Sequence, residues 1–310
     1  MQYRTLGKTN LEVSILGYGA SPLGNEFESI DIKEGERAVH AAIDQGINYF
    51  DVAPYYGRTL AEERLGKALD NHRNKVVLAT KCCRDDFDIF DFSSKRVLES
   101  IDESLRRLRT DYVDLFQIHD IEFGDKQQVI EETIPAARKV QESGKARYIG
   151  ITGLPLKMLR DVASDVPVDT ILSYARYNLM VTDLNELLRP FCESNKVGLI
   201  NGSPLHLRIL TERGAPDWHL AAEDVKQAGV RLAKLCQECG TNISDVAMRF
   251  CFDYQPVAST LVGMSKQRHV ERNLAVLETE NDPDLVEKIA AIVAPVKNKI
   301  WTTGKPENWD

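Results

Sequence analysis

A chain of 310 residues, 43% hydrophobic and 28% charged, has globular composition and enough apolar material for a large core. Lysine and arginine total 39 against 47 aspartates and glutamates, a formal net charge of −8 that repels nucleic acid and anionic lipid, and no basic patch compensates. No apolar run is long enough to span a bilayer and "MQYRTLGKTN" lacks the apolar stretch of a secretion signal, so the expectation is a cytoplasmic protein without membrane or nucleic-acid partners.

In chain order, "YRTLGKTNLEV" reads as a small hairpin with "GKTN" at its turn. Short β-branched or aromatic runs then recur: "SILGYGA" near 15, "INYFD" near 47, "VVLATK" near 76, "VDLFQIHD" near 113, "RYIGIT" near 147, "DTILSYA" near 169, "VGLING" near 197 and "STLVG" near 259. Amphipathic segments separate them, such as "EGERAVHAAIDQG", "SSKRVLESIDESLRRLRT" and "KQQVIEETIPAARKVQESG", with apolar residues at helical spacing. Gly46 and Gly144 are placed to end helices, and Ser93 or Ser94 to cap one.

Strand and helix alternating in this way imply parallel strands with right-handed crossovers, and eight repeats imply a closed (β/α)8 TIM barrel, an open doubly wound sheet being the competitor. The expected organisation is one α/β domain over 1–310, with the hairpin at one end and extra helices, one of them in "DPDLVEKIAAIVAPVKN". The long gap after the seventh run holds "SPLHLRILTERGAPDWHL", rich in turn formers, and long loops of that kind carry function.

The six cysteines are too sparse for a disulfide scaffold. "CQEC" at 236–239 has the spacing of half a zinc site but lies in a helical pattern with no second pair, so no metal is expected. Cys82 and Cys83 are read as small packed hydrophobes, with oxidation sensitivity as the sharper alternative.

In such a barrel reacting groups gather at the C-terminal ends of the strands. Three consecutive runs finish on ionisable residues, Asp51, Lys81 and His119, and Tyr56 follows the first of them. A phenol is a poor base near neutrality, and a nearby ammonium lowers its pKa. Lys81 is expected to do this for Tyr56, Asp51 to hold Lys81, and His119 to offer a hydrogen bond to a substrate oxygen. That set exchanges a proton with an alcohol or carbonyl, and the hydride then needs a partner, normally a nicotinamide. "GYGASPLG" is not a Rossmann fingerprint. The loops after strands seven and eight, "GSPLHLRIL" and "GMSKQR", are the expected phosphate sites.

These four residues, in "FDVAPYYG", "LATK" and "QIHD", closely resemble the tetrad of the aldo-keto reductase superfamily of NAD(P)-dependent barrel oxidoreductases. Within it the likeness is strongest to sugar dehydrogenases of the L-galactose type, from "LGKTNLEVSILGYGASPLGN" to the tail "VKNKIW". The resemblance implies oxidation of an aldose at C1 to the lactone, with hydride passing to NAD. Its alternatives are an NADPH-dependent reductase of aldehydes or ketones, a dehydrogenase of L-fucose or D-arabinose, and a nucleotide-binding regulatory subunit without turnover.

The same resemblance names cofactor contacts: Gly19, Ala20 and Ser21 at the floor, then Thr152, Tyr174, Ser203, Leu205, Gly263, Ser265, Arg268 and Asn273. Thr152 and Gly153 stand where many members carry Ser-Asn, and Tyr174 where many carry Gln. His269, four places before Asn273, replaces an arginine that often grips the 2′-phosphate, which favours NAD; Lys266 and Arg268 keep NADP open. Tyr55, His119 and Trp218 are the expected contacts of a small-molecule sugar substrate, with His219 and Trp301 as further wall candidates. A monomer or weak homo-oligomer is expected.

Overall fold

All eight apolar runs become strands of one closed parallel barrel in the computed structural model, which describes residues 1–26 and 29–310. A hairpin comes first, β1 (Tyr3–Thr5) against β2 (Glu12–Ser14), followed by β3 (Leu16–Gly19), β4 (Tyr49–Asp51) and β5 (Val77–Cys82). A second hairpin, β6 (Arg84–Asp86) and β7 (Ile89–Phe90), interrupts the repeat. The barrel resumes with β8 (Val113–Ile118), β9 (Ala146–Gly153), β10 (Thr170–Tyr174), β11 (Gly198–Gly202) and β12 (Ser259–Gly263). Around the cylinder the order is β3, β4, β5, β8, β9, β10, β11, β12, and β12 closes on β3 with Gly263 beside Gly19.

Helices fill the crossovers, and their ends follow local chemistry. Ser93 caps the helix Ser94–Leu108 by accepting the Arg96 N–H at 3.2 Å. Gly46 and Gly144 both take left-handed backbone after helices, at φ 84° and 80°. At the last turn of Ser94–Leu108, Arg107 bonds Glu62 at 2.6 Å and Arg109 bonds Asp70 at 2.8 Å, so "RRLR" is spent on structure. The segment from Lys126 to Glu142 stays helical through a π-turn at Val129–Thr133, just ahead of Pro135, whose ring has no N–H for the ladder.

The long gap after β11 holds two helices, Glu223–Glu238 and Ile243–Phe252, and Pro283–Val293 adds another near the C-terminus. Leu6, Leu11 and Val13 of the first hairpin pack with Tyr49, Leu115, Leu172 and Ile200, so the hairpin plugs the N-terminal end of the barrel. The opposite end is left for chemistry. No helix among the described residues is long and apolar enough to cross a membrane.

Candidate active site

Asp51 ends β4, Lys81 stands next to last on β5, and His119 follows β8, three strands that are neighbours in the barrel. Their parallel register brings the three side chains to one mouth, and the loop after β4 delivers Tyr56 to it. Gly57 makes that delivery possible. Its φ is 61°, and a Cβ there would lie 2.1 Å from the Gly24 carbonyl oxygen, so only glycine lets the loop turn this close to its neighbour.

Lys81 is buried, and its Nζ donates to Asp51 Oδ1, to the Val52 carbonyl at 2.9 Å and to the Tyr56 hydroxyl at 3.4 Å. Gln117 Nε2 donates to the second Asp51 oxygen at 2.8 Å. Burial alone would lower the Lys81 ammonium, but Asp51 and Tyr56 outweigh it and hold it above its ordinary value. Lys81 is therefore charged across the physiological range.

Tyr56 corrects one expectation. Lys81 does pull its acidity down, yet burial is the larger effect and pushes the phenol up to about 12. The phenol is protonated at neutral pH, ready to donate a proton, and accepts one only after losing its own. His119 is shifted the other way: burial holds the imidazole down to about 3 against the pull of Asp120, so it is neutral. Its Nδ1 is buried with no hydrogen-bond partner among the described residues. The Tyr55, Tyr56 and His119 rings stand edge to face, with centroids 5.8 to 6.1 Å apart.

The remaining strand ends form a continuous arc. Tyr174 pairs with Gly202 across β10 and β11; Ser203 and Leu205 follow, Gly263 and Ser265 come next at the end of β12, and Gly19, Ala20 and Ser21 complete it beside Asp51. Arg268 is exposed and Asn273 buried, both on the helix Gln267–Val276 behind β12. A Cβ on Gly19 would lie 3.2 Å from the Val262 backbone, and one on Gly263 would lie 3.0 Å from Pro22. Both glycines let neighbouring atoms approach where a side chain would collide.

The other expected residues sit as follows. Thr152 is buried and its hydroxyl accepts the Asp120 N–H at 2.9 Å. The Tyr174 hydroxyl donates to Glu122 at 3.3 Å. Trp218 is 54% exposed and stacks on His219 at 6.0 Å; it is not among the rings that meet Tyr55, Tyr56 or His119. His219 is buried on the His206 carbonyl, with its ring edge to face against Trp301 at 4.9 Å. Cys82 and Cys83 are both buried with sulfurs 3.5 Å apart, and burial pushes the Cys83 thiol up, as suits packed thiols. Cys236 is buried and Cys239 exposed.

Four residues at the mouth escaped sequence reasoning: Gln117, Arg84, Asp120 and Glu122. Gln117 left a signal, since it is an amide on the face of its strand shared with Leu115 and, two residues on, His119. Asp120 and Glu122 look like ordinary loop charges until folding buries them, and Arg84, at the start of β6, is half-buried beside Asp120. Glu122 is buried, accepts from Leu154 N–H, the Thr303 hydroxyl and Tyr174, and is pushed by burial up to about 8.

Comparison with known proteins gives the family and the fold. The chain is 44% identical to L-galactose dehydrogenase of Arabidopsis thaliana over 318 aligned residues, 99% of each chain, and 28% identical to D-threo-aldose 1-dehydrogenase of a Pseudomonas species over 85% of this chain and 89% of the relative. Among solved structures, the aldo-keto reductase AKR11C1 from Bacillus halodurans, in its holo form, superposes over 100% of each chain with TM-score 0.81 and 25% identity. The aldo/keto reductase family model matches residues 15–294, and the chain belongs to that family.

Proposed function

We propose that this protein oxidises an aldose, L-galactose in first place, at C1 to the lactone, with NAD as the hydride acceptor. The observation that carries the reading is the buried Lys81 ammonium shared between the Asp51 carboxylate and the Tyr56 hydroxyl at the open end of the barrel. The sugar itself is suggested by the full-length likeness to L-galactose dehydrogenase.

A bound oxidised nicotinamide would supply the acceptor for the hydride leaving C1. Tyr56, once deprotonated, takes the proton of the anomeric hydroxyl, and the C1–O bond becomes the lactone carbonyl. Lys81 stabilises the phenolate, Asp51 and Gln117 hold Lys81 in place, and neutral His119 orients the sugar oxygen by a hydrogen bond. Tyr174 would offer a ring to the nicotinamide and Thr152 a partner to its carboxamide, while the Ser203–Leu205 and Gly263–Asn273 stretches would hold the phosphates and adenosine. His269 in place of arginine favours NAD over NADP. A cytoplasmic setting agrees with the composition.

The test is a screen of aldoses with NAD+ and NADP+, followed by the absorbance of reduced nicotinamide. L-galactose with NAD+ is expected to give the highest kcat/KM, ahead of L-fucose and D-arabinose. Turnover confined to small aldehydes with NADPH, or a strong preference for NADP+, overturns the reading.

A further inference from the structure

Two residues that the hydride step leaves unused stand at the same mouth. Asp120 follows His119 in left-handed backbone, φ 49°, and its buried carboxylate is paired with the Arg84 guanidinium. Asp120 Oδ2 lies 3.7 Å from His119 Nε2. Arg84 comes from β6 and lies 3.9 Å over the Tyr55 ring, with Phe90 and Phe123 farther out at 5.1 and 5.6 Å. Its Nε is buried and meets no acceptor among the described residues.

A buried ion pair is a weak source of stability, because desolvation offsets the attraction. This one also leaves an N–H unsatisfied, which is costly unless something else accepts from it. The pair makes better sense as a partner for a ligand. A hydroxyl both donates and accepts. It can give its proton to the Asp120 carboxylate while accepting from Arg84, a combination that a plain aldehyde carbon chain cannot use.

We propose that Arg84 and Asp120 form a subsite for the hydroxyl on C2, the carbon next to the reacting one, and so select polyhydroxylated aldoses over plain carbonyl compounds. The proposal rests on the aldose reading above. The oxygens on C1 and C2 are neighbours, and His119 Nε2 and Asp120 Oδ2 are spaced to serve one each. Because the contact is to C2, the subsite itself does not distinguish sugars that share L-galactose's configuration there and differ only at C6, whereas it refuses the C2 epimer.

The experiment compares kcat/KM for L-galactose and its 2-deoxy analogue with NAD+, in the wild type and in the Arg84→Met and Asp120→Asn variants. A site built to bond a hydroxyl rejects the analogue lacking it strongly, so the wild type is expected to prefer the parent sugar by roughly 100-fold or more. Each variant is expected to reduce that ratio to below about 10-fold, while the ratio of L-galactose to its 6-deoxy form stays within about 3-fold of wild type. General damage cancels in these ratios. If a variant turns over too slowly, calorimetric Kd values of both sugars for the NADH-loaded protein read the same preference.

A preference for the parent sugar that persists in both variants, or that is missing from the wild type, overturns the subsite and leaves sugar oxidation standing. A wild type that oxidises no aldose overturns both.

Discussion

Lys81→Met removes the ammonium while keeping a long apolar stem, and its consequences separate catalysis from stability. At 3.4 Å from the Tyr56 oxygen, a unit charge stabilises phenolate by about 5 kcal/mol at an effective dielectric near 20. Losing it raises an already reluctant phenol by three to four pKa units, so sugar oxidation is expected to fall by about 10³ to 10⁴. The substitution also strands the buried Asp51, held then only by Gln117, which costs about 3–5 kcal/mol of stability. Adding Asp51→Asn removes the stranded charge. The double variant is expected to regain most of the lost thermal stability and none of the turnover. Thermal denaturation followed by fluorescence and steady-state NADH formation read the two quantities side by side. A double variant oxidising sugar within tenfold of the wild type would refute the assignment of Lys81 as the group that makes Tyr56 a base.

Tyr56→Phe is expected to leave almost no turnover and unchanged nicotinamide affinity, measured by quenching of protein fluorescence; full turnover removes the phenol from the mechanism. Wild-type oxidation should climb steadily from pH 7 to pH 10, since Tyr56 is pushed up to about 12 and only its deprotonated form accepts a proton; a flat profile contradicts this. Glu122 sets a slope in stability: the folded protein holds its proton up to about 8, whereas an unfolded chain releases it near 4.5. Its contribution is complete below 4.5 and lost as pH rises through 8, so Glu122→Gln should flatten the fall of Tm over that range, and an unchanged slope refutes the linkage. Among the cysteines only Cys239 is exposed, so maleimide should label one thiol rapidly in the native protein and none after Cys239→Ser.

Each barrel strand was legible because a strand buried on both faces must be a short apolar run, and helices such as those in "EGERAVHAAIDQG" and "SSKRVLESIDESLRRLRT" because their apolar residues recur at three and four. Three of the four residues brought together at the mouth were legible for a related reason: "INYFD", "VVLATK" and "VDLFQIH" end on polar groups that a buried strand tolerates best at its open end. Trp218 shows where pattern fails. Its loop is long and rich in turn formers, and nothing local says which way an aromatic on such a loop will face; folding turns it to solvent. His219, its neighbour, is buried on the His206 carbonyl instead.

Periodicity and strand-end chemistry alone, being local, pointed to the barrel and to Asp51, Lys81 and His119 at its mouth. The tertiary structure decided their strengths and their helpers: that burial outweighs Lys81 at the Tyr56 oxygen, that Gln117 steadies Asp51, that Arg84 reaches Asp120 across 36 residues and that Glu122 ties down Thr303 across 181. Desolvation and charge pairing depend on distances through space, and those exist only once the cylinder has closed.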